Sequence, residues 1–310
     1  MLGRPENGLL RSIKQHNSDL NVLCDWIEAS VVFENDHLSK SDVTTALQQF
    51  QIYEKQGFAT EIVDVAWSVI ASRMKYLNAP LGIQVSGNRI TRSATWDTFP
   101  AYGFCLALAC AQFYPSWVKQ WGAATVRGEL FEELAQESFS TTLSGWKVRR
   151  VGWSPGNPTK LCAAIDSIIS DLNEVEGSEL KLHIDEHANE LGLDLLAYYS
   201  YGDAHASLPV LLVQCASGDN WKSKRHTPDL GLWRTIVSFN SCPVRGFAIP
   251  FAYADSQELR KHTRSINGVF VDRIRLLGAF HRTSTNVSAA LDGKLVGWVT
   301  GIIGTVPKDK

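Results

Sequence analysis

The chain has 310 residues, enough for about two domains with a sizeable core. Apolar residues make up 45% and charged residues 20%, an ordinary globular profile, and a net charge of −2 excludes a bulk polyanion binder. Six cysteines without a CxxC pair or zinc spacing exclude a zinc-finger module and point to small reduced core residues, which fits the cytoplasm.

In chain order, residues 9–113 read as mainly helical. Leu20, Leu23, Trp26, Ile27 and Val31 recur at helical spacing. Ser41 or Asp42 is the expected N-cap of a helix running through Tyr53. Ile62, Val65, Ala66, Val69, Ile70 and Met74 mark one face of a helix over 60–77. Residues 80–97 read as a loop or short strands. The longest apolar run, residues 102–114, is too short to span a bilayer and reads as a buried helix. The N-terminus has no cationic segment followed by an apolar one, so no signal peptide and no membrane association are expected.

The texture changes after Gly122. A helix is expected over 127–139, a strand over 146–153 and a helix over 160–175. Two hydrophobic strands follow within 192–215, joined by a Tyr-Gly-Asp-Ala-His-Ala turn. A helix over 221–240 interrupted near Pro228, a strand over 244–252, a helix over 256–266 and a strand over 269–277 complete the pattern. The order is that of an α/β layer fold, and the boundary is placed near residue 122. Residues 1–122 form an α-helical domain and residues 123–310 a mixed sheet flanked by helices.

The charge is uneven. Residues 129–194 carry 13 acids and 5 bases, a net of −8, and residues 203–310 carry 14 bases and 8 acids, a net of +6. Such a division sets metal ligands beside phosphate-contacting residues. Arg260, Lys261 and Arg264 lie on one predicted helix, and Lys222, Lys224 and Arg225 at the start of another. Arg273 and Arg275 alternate on the last predicted strand.

Asp194 and Gln214 are polar residues where the two central strands call for apolar ones. Burying an unpaired polar group costs a few kcal/mol, so each has a reason to be there. An acid on one strand, an amide oxygen on the next and a lysine beyond is a layout for metal-dependent phosphodiester chemistry, in which hard oxygen ligands hold Mg²⁺ or Mn²⁺. The Cys215 carbonyl and Glu132 on the preceding helix are further candidate ligands.

A helix with Glu132, a strand over 147–153, Asp194 and then Gln214 after a 20-residue step resembles the PD-(D/E)xK core of restriction endonucleases. In that family an acid on the second strand is followed by Glu/Asp-x-Lys on the third, and recognised variants carry Gln in place of the third-strand acid. The lysine belongs two residues past Gln214, where this chain has Ala216. Lys224 is the candidate relocated lysine, with Lys222 beside it. The string Gly-Leu-Asp-Leu-Leu-Ala, then Gln-Cys-Ala-Ser-Gly-x-x-Trp-x-x-Lys, is also similar to bacterial proteins associated with anti-phage defence. The resemblance implies a DNA endonuclease with Asp194, Gln214, Cys215 and Glu132 at the metal, Lys224 in catalysis, and a partner protein encoded nearby. DNA phosphates would be met by Lys222, Lys224, Arg225, Arg260, Lys261 and Arg264. A second reading stays open, that of a non-catalytic nuclease-like subunit that binds nucleic acid or a partner protein.

Other motifs are weaker. His183 and His187 have the i, i+4 spacing of a helical zinc pair but no third ligand is evident. There is no dinucleotide or P-loop glycine motif, and Ser217 lacks a nucleophile elbow.

Overall fold

The structure, a computed structural model, describes residues 1–9, 19–77, 81–151, 161–180, 191–253 and 256–309. Two compact units emerge. One comprises Met1–Gly122, Pro250–Leu259 and Asp272–Lys310; the other comprises Ala123–Ile249 and Arg260–Val271. The tail beyond Asp272, read from the sequence as part of the sheet domain, thus belongs with the N-terminal helices.

The first unit begins with α1 (Leu20–Phe33), whose cap Asp19 accepts the Asn21 and Val22 N–H groups. Helix α2 (Lys40–Gln49) is capped by Ser39, two residues earlier than expected. Ser39 and Asp42 form a capping box, each side chain accepting the other's backbone N–H. Helix α3 (Gln56–Leu77) buries Ile62, Ala66, Ile70 and Met74, as its spacing predicts, while Val65 is 43% exposed. Short strands Gln84–Ser86 and Arg89–Thr91 pair antiparallel, and His37–Ser39 joins on the other side of Arg89–Thr91. Helix α4 (Pro100–Cys110) is buried at every residue, so its apolar run reflects a helix enclosed on all sides.

The second unit opens with α5 (Ala124–Thr142), which buries Leu130, Phe131, Leu134, Ala135 and Phe139. Strand β1 (Trp146–Arg150) follows, then α6 (Leu161–Leu172), β2 (Leu195–Tyr199) and β3 (Val210–Cys215). Beyond β3 come a 3-10 turn, Asp219–Lys224, and a short helix α7 (Leu230–Ile236), where the sequence suggested one interrupted helix. Strand β4 (Val244–Ala248), helix α8 (Ser256–Ile266) from Arg260 onward and strand β5 (Gly268–Val271) complete it. The five strands lie side by side in chain order. β2 runs antiparallel to both of its neighbours, β1 and β3, whereas β3, β4 and β5 are parallel. The central strands are buried along nearly their whole length, which explains their continuous apolar runs.

Strand alternation assigns the two faces. Leu196, Tyr198, Val210 and Leu212 pack with Ile165, Ile168, Trp233 and Ile236 from α6 and α7. Residues of the opposite parity, among them Leu211 and Val213, turn to the other face, and α5 packs on this sheet.

The last predicted strand is corrected. β5 stops at Val271; Asp272 then accepts the Arg275 N–H and caps helix α9 (Arg273–Arg282). Arg273 is 0% exposed, so it is not a phosphate-contacting strand residue. Helix α10 (Ala289–Ile303) ends the chain's regular structure. Within the first unit Arg273 joins Asp25, Glu28, Arg73 and Tyr102 in a buried polar network. Arg273 Nη2 donates to Asp25 Oδ1 at 2.7 Å and Glu28 Oε2 at 3.0 Å, and Arg73 Nη1 donates to Asp25 Oδ1 at 2.8 Å and Glu28 Oε1 at 2.6 Å. The Tyr102 hydroxyl donates to Glu28 at 2.5 Å. Burial opposes ionisation of both acids. It pushes the Asp25 carboxyl up, whereas at Glu28 the two guanidiniums outweigh it and hold the carboxyl low.

Candidate functional site

Asp194 directly precedes β2, and the β2–β3 register, Leu195 opposite Val213, places it across from Gln214. Its backbone continues the ladder on both sides. The Asp194 N–H donates to Val213 O at 2.9 Å, and Val151 N–H donates to Asp194 O at 2.8 Å. Both polar side chains are buried, Asp194 at 2% and Gln214 at 5% exposure. The burial is compensated by hydrogen bonds. Asp194 Oδ2 accepts a short hydrogen bond from Gln214 Nε2 and another from the Cys215 N–H at 2.5 Å. Gln214 Nε2 also lies 3.3 Å from the Cys215 carbonyl.

The far end of the same amide is held by a residue the sequence reading missed. The Thr227 hydroxyl is 3.1 Å from Gln214 Oε1 and 2.6 Å from the Lys224 carbonyl, and can donate to either. Gly192 makes room for this contact. It adopts φ of +67°, and a Cβ there would sit 2.7 Å from Thr227 Cβ and 3.2 Å from Gln214 Oε1. The signal in the sequence was a glycine two residues before the acid and a threonine just past the lysine-rich turn.

Glu132 is half-buried on α5. Both its charge and that of Asp194 are felt at the Cys215 thiol, which burial first and these two carboxylates next push well above its ordinary range. Cys215 is therefore a neutral thiol in a negative local field. Glu133, beside it, pairs with Arg150 at 3.4 Å. Among the described residues no group of three His, Cys, Asp or Glu side chains is gathered as a metal cage. His183 and His187 lie outside the described residues.

The position two residues past Gln214 is filled by Ala216. Ala216 is 2% exposed, and its N–H continues the ladder to Ala248 at 2.9 Å. Lys222 and Lys224 are exposed on the turn after β3. Lys222 Nζ lies 5.9 Å from the centroid of the Trp221 ring, and the Lys224 carbonyl meets the Thr227 hydroxyl.

The structure does assemble a cationic surface. Trp221 is buried against Phe247, Phe270 and His262, with centroid distances of 6.0, 5.8 and 5.0 Å. Burial holds the His262 imidazole down at about 4, and the nearby charges of Lys222, Arg225 and Lys261 add to the shift. The turn after β3 and α8 therefore bring their cations around one histidine. Arg260 and Arg264 are exposed on α8 as well. Arg225 is half-buried, its Nε donating to Lys222 O at 2.7 Å.

All six cysteines are free thiols. Among the described residues no helix is long and apolar enough to cross a membrane. No family model, curated protein or solved structure matches this chain.

Proposed function

We propose that the sheet unit is a restriction endonuclease-like phosphodiesterase that hydrolyses DNA with Mg²⁺ or Mn²⁺ held at Asp194 and Gln214. The observation that carries this reading is a convergence of oxygens. Asp194 Oδ2 and the Cys215 carbonyl both lie within hydrogen-bonding distance of Gln214 Nε2, and the charges of Asp194 and Glu132 are both felt at the neighbouring Cys215 thiol. These are hard oxygen donors of the kind magnesium and manganese prefer. The order of elements supports the same reading: α5 with Glu132, then β1, then Asp194 at the start of the second strand, then Gln214 in the third.

Gln214 directs its amide nitrogen to Asp194. Holding a cation requires the oxygen there instead. Thr227 accepts either orientation, because its hydroxyl can donate to the Lys224 carbonyl while its oxygen receives the turned Nε2–H. A bound divalent ion supplies the charge that polarises a phosphoryl oxygen and acidifies an attacking water. Asp194, Gln214, the Cys215 carbonyl and Glu132 would hold it. Lys222, Lys224, Arg225 and Lys261, with Arg260 and Arg264, offer a cationic surface for DNA phosphates. Lys224 is the candidate to support the nucleophile. A place in anti-phage defence and a partner protein encoded nearby rest on the family resemblance.

A second reading, a non-catalytic subunit that binds nucleic acid or a partner protein, is favoured by one observation: Lys222 and Lys224 are both exposed, and Ala216 fills the expected lysine position. Cleavage of plasmid and linear DNA with Mg²⁺, Mn²⁺ or EDTA separates the two. The enzyme reading expects metal-dependent nicking or linearisation by the wild type and none by Asp194→Ala. Binding without cleavage under all metal conditions would leave the non-catalytic reading. Cleavage by Asp194→Ala at the wild-type rate would refute the site.

A further inference from the structure

The first unit contains a cavity of about 670 Å³. Its walls are the last turns of α3 and the exposed side of α9, and four cations line it: Arg73, Lys75, Arg275 and Arg282. The one carboxylate among its described lining residues is Asp272, and both of its oxygens are engaged. Oδ2 accepts the Tyr253 N–H at 3.2 Å and Oδ1 the Arg275 N–H at 3.0 Å. Lys75 and Arg282 form no ion pair among the described residues.

Two features make this a shaped site rather than a scatter of surface charges. Arg73 is 3% exposed and rigidly held: Nη1 donates to Asp25 and Glu28 and Nη2 to Ala252 O at 3.0 Å, leaving Nε without a partner. Its charge is answered by Asp25 and Glu28, so it is a fixed edge of the groove whose orientation costs no side-chain entropy on binding, and Lys75 and Arg282 carry the open charge. Gly278 lies on the seam between α9 and α3. A Cβ there would come within 3.2 Å of Arg282 Nη1 and 3.7 Å of the Tyr76 carbonyl. The missing side chain lets the Arg282 guanidinium approach the α9 backbone closely.

We infer that this cavity binds a nucleotide, a phosphorylated small molecule with a planar aromatic body. Lys75 and Arg282 take the phosphates, with Arg73 behind them. Guanidinium and ammonium groups that converge on one concavity match phosphate oxygens through charge-assisted hydrogen bonds. The volume falls in the few-hundred to thousand Å³ range of small-molecule pockets and exceeds what a bare phosphate fills. Tyr76, 64% exposed in the lining, offers an aromatic face for the base. This inference stands apart from the phosphodiesterase reading, since it uses none of that site's residues.

The test is isothermal titration of the full chain at low salt with ATP, ADP, GTP and inorganic pyrophosphate, and with a short single-stranded oligonucleotide. The double variant K75A/R282A alters exposed residues only, and its circular dichroism and melting curve establish that it folds. The expected result is saturable one-to-one binding of at least one nucleotide, tighter than pyrophosphate, and weakened at least about tenfold in the double variant. The inference is overturned by any of four results. No nucleotide binds at millimolar concentration; pyrophosphate binds as tightly as every nucleotide; the double variant binds as well as the wild type; or the oligonucleotide binds this cavity while mononucleotides do not.

Discussion

Each unit buries an aspartate, and the two are held in different ways. Asp25 belongs to a network in which two acids meet two guanidiniums, with Tyr102 closing one end. Asp194 receives, at Oδ2, a side-chain amide and a backbone N–H. The first arrangement is charge-balanced and leaves little room to rearrange, because Arg73 Nη1 and Arg273 Nη2 are each shared by both carboxylates and Arg73 Nη2 is held by the Ala252 carbonyl. The second hinges on an amide whose two ends differ by one rotation and whose far end meets a hydroxyl tolerant of both. Buried charge locked into ion pairs serves the fold; buried charge beside a rotatable amide can change partners. The contrast is a statement about consequences, and it can be broken.

The largest expected effect is on the first network. Arg273→Met leaves Asp25 and Glu28 underneutralised in a fully buried site, and should cost about 3–5 kcal/mol in urea unfolding. A cost below about 1 kcal/mol would end the contrast. Asp194→Ala should cost less, about 1–2 kcal/mol for the Cys215 N–H and Gln214 amide it leaves behind, while removing metal-dependent cleavage. Equal stability losses in the two variants would show that Asp194, too, is chiefly structural.

A smaller effect sharpens the amide argument. Thr227→Val removes the hydroxyl that steadies Gln214, and should weaken Mn²⁺ affinity about 10–100-fold with a stability loss of about 1 kcal/mol. Thr227→Ser keeps the hydroxyl and should restore the affinity. Titration of the metal by calorimetry distinguishes this from a general loss of fold, and an unchanged affinity in Thr227→Val would remove Thr227 from the site.

His262 makes a pH prediction. Its imidazole is held down at about 4 when folded, against an ordinary value of 6.5. Between those values the unfolded chain binds a proton that the folded chain refuses, so stability rises with pH across that window and is lost as the pH falls through it. Denaturation midpoints followed from pH 7 to pH 4 should therefore decline, and His262→Phe, which keeps an aromatic ring against Trp221, should flatten the decline. An identical slope in both proteins would show that this imidazole is not held down by its burial in the fold. The smallest stability effect is expected from neutralising Arg260, Lys261 and Arg264 together, within about 0.5 kcal/mol because all three are exposed. The same variant should lower the salt-dependence slope of DNA binding by up to about 3. Unchanged affinity and slope in anisotropy titrations would place the DNA path elsewhere.

Much of this architecture was legible in the residues. Continuous apolar runs located β2 and β3, and the short connection between them made an antiparallel pair the natural outcome; that pairing sets Asp194 opposite Gln214. Helical periodicity located α3, α4 and α5, because burial on one face, or on all faces for α4, leaves its spacing in the chain. The failures have equally local causes. Arg273 and Arg275 flank Ile274 as alternating strand residues would, yet Asp272 caps a helix there. The helical period of α9 was hidden because its first buried residue is an arginine, which a hydrophobic pattern counts as surface. Ser39 outranked Ser41 as a cap because only Ser39 stands three residues before the acid that returns its bond.

The sequence by itself determined the α/β class, the boundary in texture near residue 122 and the chemical types available at the site. Spacing and alternation are short-range properties, and short-range physics reads them directly. Tertiary structure alone decided which polar groups meet. Asp25 finds Arg273 across 248 residues, and the Gln214 amide turns its nitrogen to Asp194 and its oxygen to Thr227. Nothing in the periodicity of either partner encodes such a meeting. It follows from packing, which brings distant donors and acceptors into a dry interior where each must be satisfied or the fold loses a few kcal/mol.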